Sequence, residues 1–367
     1  MDFQEVYVLR HELHQHPELS LQEKRTRQYL ISWLEERTSL HIVELERGFL
    51  AIKEPDGPAT CCAIAFRADY DALPIEESDE LPYHSVNPGV SHKCGHDGHS
   101  AVLCGFALAL EEMPINRRVI LVFQGGEEIG QGGESCALAL RQYGVSEVYA
   151  FHNRSGYPEN AIVIRKGITQ CASEGLTIFF MGKASHASSP EDGVNPATAV
   201  AKLILYMRNI SDLKFNGLVM MTIVHVKVGS LDFGISPSNG LVSVTLRAEI
   251  AREMREAEQS ILQKTEELAM MYGLKFSYER QDVFPETVNH DQCAQKVADA
   301  ARRLGFHLIE TDEVWRASED FGYYTKHYPG AIFYIGNGED YPALHTVEYD
   351  FNDRIMETAV EIFRMLI

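Results

Sequence analysis

The chain is short of basic charge, of long apolar runs and of patterned cysteine, and each shortage excludes something. Lys plus Arg number 33 against 53 Asp plus Glu, a net charge of -20 over 367 residues. So acidic a surface repels nucleic-acid phosphates and anionic membranes, and neither is expected as a partner. No apolar stretch reaches the ~18 residues of a membrane-spanning helix. The opening residues, MDFQEVYVLRHELHQ, are charged and periodic, unlike a signal peptide. Seven cysteines (61, 62, 94, 104, 136, 171, 293) are odd in number and dispersed, which fits a reduced cytoplasm rather than a disulfide framework. No internal repeat or low-complexity tract stands out.

What is present is a 45% hydrophobic content, enough for a sizeable core, in a length that suits about two domains. Ser20-x-x-Glu23 reads as a capping box opening a helix to about Arg37. Apolar runs at 41–45, 49–52 and 61–68 follow, then a helix over 100–113, a strand over 119–124, a helix over 132–143 and a strand over 147–151. That alternation predicts an α/β domain. After Gly167 the order becomes strand 175–181, helix 196–210, strands 218–228 and 240–250, helix 254–272 and strand 275–284. This β-α-β-β-α-β succession is the ferredoxin-like one. Residues 169–286 are therefore expected to form an α+β ferredoxin-like domain. It is inserted into an α/β domain of 1–168 plus 287–367, which resumes with helix 291–304, strand 331–335 and helix 351–366.

Lys93-Cys94-Gly95-His96-Asp97-Gly98-His99 places a thiol, two imidazoles and a carboxylate in the loop between a strand and a helix, where sites commonly sit in α/β folds. Other metal-binding side chains end further apolar runs. Glu127-Glu128 follow Val119–Phe123 and Gly125-Gly126, His152 follows Val148–Phe151, and His345 follows Ala331–Ile335. Thiolate, imidazole and carboxylate at several strand ends suit Zn, Mn, Co or Ni, and more than four candidates suggest two divalent ions. Adjacent glutamates at a strand end point apart, so one can bind metal while the other takes a proton from water. Asp69 and Asp71 are either turn carboxylates capping local amides or, for Asp71, the group that orients a metal-binding histidine. His152 and His345, taken singly, also read as hydrogen-bonded structural histidines. His11, His14 and His16 follow helix spacing before Pro17 and read as a solvated helix end.

With those residues in view, the chain resembles the metallo-amidohydrolases that include hippurate hydrolase, N-acyl-amino-acid and N-acetyldiaminopimelate deacylases and plant auxin-conjugate hydrolases. These are similar to the wider aminoacylase and carboxypeptidase group of dimetal peptidases. The likeness spans nearly the whole chain: Leu13–Ser20, Phe66–Pro74, His92–His99, Gln124–Glu128, Gly132-Gly133, His152-Asn153, His186–Pro190, Arg247, Ser318–Phe321 and Leu344-His345. It implies a dimetal-peptidase-like α/β catalytic domain and an inserted lid and dimerisation domain. It implies Cys94 bridging or contacting two metals, with His96, Glu128, His152 and His345 as further ligands. Glu127 takes the role of general base, Asp71 supports a ligand, His186 stands near the substrate, often from the partner subunit, and Arg247 meets the substrate carboxylate. A loop histidine and a surface-strand arginine are the plainer readings of the last two.

Three departures bear on substrate choice. Gly125-Gly126 replaces the family's Pro-Ala, Gly234-Ile235-Ser236-Pro237 replaces Asn-Val-Ile-Pro, and Ala184-Ser185-His186 replaces Gly-Gly-His. The resemblance implies a metal-dependent amidohydrolase acting on N-acyl amino acids. The cysteine usage points to the cytoplasm, and strand 218–228, apolar on both faces for most of its length, is expected to be buried on both sides or to pair with another chain in a homodimer through the insert. The alternatives are a dipeptidase or carboxypeptidase on the same site, or a catalytically silent conjugate-binding protein that keeps the fold. A thiol hydrolase built on Cys94 and His96 leaves Glu127, Glu128, His152 and His345 unexplained.

Overall fold

A computed structural model describes residues 3–59, 61–78, 80–210 and 214–367. They form two compact units. One comprises Met1–Thr169, Thr287–Glu313 and Glu319–Ile367; the other comprises Gln170–Glu286 and Val314–Ser318.

The first unit is an α/β domain on an eight-stranded sheet. From edge to edge the strands are His41–Leu45, Gly48–Lys53, Val119–Gln124, Ala63–Asp69, Val145–Ser155, Gly330–Gly338, Ile162–Ile164 and Leu308–Glu310. Ala63–Asp69 runs parallel to both of its neighbours, and Val145–Ser155 runs parallel to Gly330–Gly338. Parallel strands covered on both faces carry unbroken apolar runs, and Val119–Gln124 is buried at every position. Phe66 meets Phe106 and Phe363 with ring centroids 4.9 Å from each, one join between the sheet and the Met356–Leu366 and His96–Glu111 helices. Each such buried ring contributes about 1.5–3 kcal/mol.

Several elements differ from the sequence reading. The helix expected from Ser100 begins at His96, because Gly95 in a left-handed conformation (φ 99°) turns the chain into it four residues sooner. The Val145–Ser155 strand outlasts its apolar run, so His152 and Asn153 lie within it. Helix Lys24–Arg37 starts without the expected capping box: Glu23 makes no side-chain cap, and Ser20 donates its hydroxyl to Asp71 instead.

The second unit has the expected β-α-β-β-α-β order: Ala172–Met181, helix Ala197–Met207, Val219–Val228, Asn239–Ala248, helix Ala251–Tyr272 and Lys275–Phe284. Its sheet runs Val219–Val228, Asn239–Ala248, Ala172–Met181, Lys275–Phe284, antiparallel throughout. In Asn239–Ala248 every second residue is buried, the period of a sheet with one face on a core. Both helices pack on that face. Val219–Val228, apolar for most of its length, is an edge strand with Val224 and Val226 exposed. No helix among the described residues is long and apolar enough to cross a membrane.

Candidate metal centre

The parallel register sets the carboxyl-terminal ends of Ala63–Asp69 and Val119–Gln124 beside the later part of Val145–Ser155. Asp69 pairs with Gln124, Arg67 with Ala150 and His152 with Tyr334. Asp71 follows the first strand, Glu127 and Glu128 the second, and His96 opens the helix beyond Gly95. Such a row of strand ends is where α/β sheets place their sites. Gly98 lets that helix approach: a Cβ there would sit 2.4 Å from the Phe351 ring. Gly126, at φ 72°, turns the chain into the short 3-10 turn Glu127–Ile129.

Seven of the expected site residues lie in this unit and converge. Cys94, His96 and His152 present donor atoms within 4.8 Å of one another, and so do Cys94, Glu128 and His345, and His96, Glu127 and Glu128. Cys94 Sγ lies 3.6 Å from His152 Nε2. Glu128 Oε1 lies 3.7 Å from His96 Nε2 and 3.9 Å from His345 Nε2. The histidine tautomers are set from behind. Asp71 Oδ1 faces His96 Nδ1 at 3.2 Å, and the Asn153 carbonyl accepts from His152 Nδ1 at 2.8 Å. Each ring therefore turns its Nε2 toward the cluster.

Two atoms at its centre are buried without a hydrogen-bond partner, His96 Nε2 and Glu128 Oε1. An unmet buried polar atom costs about 1–3 kcal/mol, and facing atoms of this kind are satisfied by a cation. The donor set therefore fits divalent metal. Cys94, His96 and Glu128 each belong to two of these groups.

Charge points the same way. Burial, then the Glu128 carboxylate, holds the Cys94 thiol well above its usual range. Burial raises Glu128 to about 7, opposed by His96 and reinforced by Asp71. Burial and the nearby carboxylates of Glu319, Glu128 and Asp320 raise Glu127 well above the ordinary carboxyl range. Such a carboxylate is a stronger proton acceptor than an exposed one.

The sequence reading counted His99 only as one of the imidazoles in the Cys94–His99 run and gave Arg67 no role. His99 turns Nδ1 to Asp69 Oδ1 and Nε2 to Asn153 Oδ1, both at 2.6 Å, so neither nitrogen is left for a metal. Arg67, fully buried, binds Asp69 at 2.6 Å, Asp320 at 2.7 Å and Glu319 at 3.0 Å. It thus fixes two acids beside Glu127. The only sequence signal for these residues was their place inside matched motifs. His14 is a correction: it is buried, not solvated, and bonds Asp97 at 2.7 Å and Glu77 at 2.9 Å. Helix spacing could not reveal the acids that cover it.

His186 and Arg247 belong to the second unit. His186 is exposed on the short strand Ser185–His186, paired with Ile235-Ser236, and its Nδ1 meets Ser188 Oγ at 2.7 Å. Arg247 donates Nη1 to the Arg316 carbonyl and to Ser318 Oγ, each at 2.9 Å.

Comparison with known proteins places the chain in a family. The model for peptidase family M20/M25/M40 matches residues 65–367. A Bacillus subtilis protein named N-acetylcysteine deacetylase is 31% identical over 371 residues, 98% of this chain and 94% of that protein. A second, named N-acetyl-L-cysteine deacetylase, is 30% identical over 344 residues, 92% of this chain and 81% of that protein. The crystal structure of a Bacillus subtilis protein described as a dinuclear metal-binding peptidase of the M20 family superposes with TM-score 0.83. It is 26% identical, over 99% of this chain and 96% of that one.

Proposed function

The chain belongs to peptidase family M20/M25/M40, and from that premise we propose that it hydrolyses N-acyl amino acids, cutting the amide next to a free carboxylate. The observation that carries the reading is the pair of buried, partnerless atoms on His96 and Glu128, ringed by Cys94, His152 and His345. The names of the two deacetylases support an acyl amino acid over a longer peptide.

Cys94, His96, Glu128, His152 and His345 would hold two divalent ions of Mn, Zn, Co or Ni, which supply Lewis acidity toward the scissile carbonyl and the attacking water. Glu127 takes the water's proton and returns it to the leaving amine. Asp71 keeps the His96 tautomer that leaves Nε2 free. His186 donates a hydrogen bond to the developing oxyanion. Arg247 meets the substrate carboxylate. Association into a homodimer through the second unit is supported by its exposed edge strand and by the exposed Leu231 and Phe233 beyond it.

The test is a panel of N-acyl amino acids, N-acetylcysteine among them, set beside dipeptides and assayed after chelation and re-addition of each metal. Hydrolysis of the acyl amino acids is expected. Cleavage of dipeptides alone would move the protein to the peptidase reading. Binding without turnover, whatever the metal, would make it a silent conjugate binder.

A further inference from the structure

The segment Pro17–Glu23 links helices Phe3–Gln15 and Lys24–Arg37. It resembles an ordinary helix start, yet neither of its capping side chains caps. Ser20 Oγ donates to Asp71 Oδ2 at 2.7 Å. That same oxygen accepts the Glu128 N–H at 3.0 Å, while Asp71 Oδ1 faces His96. Glu23 Oε1 accepts the Gly126 N–H at 2.8 Å. Gly126 is the left-handed residue immediately before Glu127. The backbone joins in: the Ala72 N–H donates to the Glu18 carbonyl at 2.9 Å, and Leu19 bridges Ala72 as a parallel partner.

Two further observations show that the segment is shaped for these contacts. Leu21, between the two side chains, is one of four non-glycine residues at positive φ among the described residues, at 66°. A leucine held there is costly without a compensating contact, and such residues gather at functional sites. Gly125 lies against Glu23 so closely that a Cβ would come within 2.9 Å of Oε1.

We propose that Ser20 and Glu23 are positioning residues, one loop bracing the ends of two neighbouring strands and so setting Asp71 against the Glu127-Glu128 turn. Ser20 acts through Asp71 on the His96 ring and the Glu128 backbone. Glu23 acts through Gly126 on the direction from which Glu127 enters the site. The catalytic part of this inference rests on the amidohydrolase reading. The bracing itself does not, and metal binding and amide exchange test it without a substrate.

The variants are Ser20→Ala, Glu23→Ala and Glu23→Gln, the last keeping an acceptor oxygen for Gly126. In metal-free protein, hydrogen exchange over residues 124–130 should accelerate at least tenfold in Glu23→Ala and be largely restored in Glu23→Gln. By equilibrium dialysis, Ser20→Ala should bind Mn or Zn about 10-fold or more weakly, the range seen when partners of metal ligands are removed. With a substrate in hand, kcat should fall by a similar factor in both alanine variants, with KM within about threefold of the parent. If Glu23→Ala does not fold, Ser20→Ala and Glu23→Gln still decide the matter. Unchanged exchange and metal affinity in the alanine variants, with only a lower melting temperature, would make the loop a plain helix connection and overturn the proposal. Glu23→Gln as impaired as Glu23→Ala would overturn the hydrogen-bond account.

Discussion

The backbone N–H of His345 donates to the carbonyl oxygen of Lys93 at 2.7 Å. His345, at φ 64°, thus hangs from the loop that carries Cys94, although the two cluster members lie far apart in sequence. The Lys93 side chain completes the hold. Its buried Nζ donates to the Tyr349 carbonyl at 2.7 Å and to the Glu77 carboxylate.

Lys93→Met should therefore loosen the His345 loop and leave Glu77 and the Tyr349 carbonyl without that donor. Removing one partner of a buried ion pair typically costs about 3–5 kcal/mol. His14 still reaches Glu77, which places the expected loss toward the lower figure. Urea denaturation of metal-free protein measures it. A loss below about 1 kcal/mol would mean that the lysine is dispensable to the loop.

The His14 cluster should make stability depend on pH in a stated direction. Burial opposes charge on this ring, but hydrogen bonds to Asp97 and Glu77 outweigh it and raise the imidazole to about 9. Asp350 lies 3.7 Å away and adds to the attraction, Arg10 opposes it, and Tyr83 and His92 complete the surroundings. The folded value exceeds the unfolded ~6.5, so the contribution is full below pH ~6.5 and disappears as pH rises through about 9. Glu77 behaves oppositely. Burial is overcome by His14 and Lys93, its carboxyl falls to about 2, and its contribution is lost as pH drops from ~4.5 toward that value. The difference in unfolding free energy between parent and His14→Gln, measured from pH 6 to pH 10, should shrink by up to roughly 3 kcal/mol. A pH-independent difference would assign His14 a packing role only.

These residues show where the sequence was readable and where it was not. Apolar runs such as Val119–Phe123 announce buried parallel strands because burial on both faces demands continuous hydrophobicity. The ligand candidates stood out because thiol, imidazole and carboxylate rarely end several strands together. The partners of those ligands were harder. Ser20-x-x-Glu23 has the same spacing whether it caps a helix or reaches Asp71 and Gly126, and only the fold brings those two within 2.8 Å. Arg67 and Asp69 read as ordinary residues of a strand end until Asp320, 253 positions beyond Arg67, arrives to share the guanidinium. Contacts at that separation leave no local pattern.

Cys94→Ser should lower metal content and turnover together, since a neutral, harder hydroxyl replaces the thiolate. Metal analysis after dialysis, beside steady-state rates, measures both. Full occupancy with near-normal turnover would remove Cys94 from the ligand set. In the parent, Cys94 should also be the thiol that added metal best protects from alkylation.

Glu127 and Glu128 are adjacent yet should fail differently. Glu127→Gln is expected to keep its metal and lose turnover by at least ~10²-fold, because a carboxamide cannot take the proton. Glu128→Gln should release metal, since its Oε1 is the unpartnered atom facing His96 and His345. The opposite pattern would exchange the two roles, and two active variants would count against the amidase reading itself.

The last expectation concerns His186, exposed on its short strand with Nδ1 held by Ser188. The Ser188 N–H also donates to that Nδ1 at 3.1 Å, so Nδ1 accepts and Nε2 is left to donate elsewhere, as an oxyanion donor must. His186→Ala should then cut turnover by ~10²-fold or more while leaving metal content unchanged, the size of effect typical of losing one such donor. The homodimer reading adds a sharper test. Inactive His186→Ala subunits are mixed with inactive Glu127→Gln subunits under conditions in which exchange of labelled chains is confirmed. If one chain lends its histidine to the other's site, each mixed dimer contains one site with both residues intact, and activity returns. If His186 serves its own chain, every site in the mixture lacks one residue, and activity stays at the level of the parent variants. Recovery thus establishes both the dimer and the direction of the loan, whereas its absence confines His186 to its own chain or removes it from the mechanism.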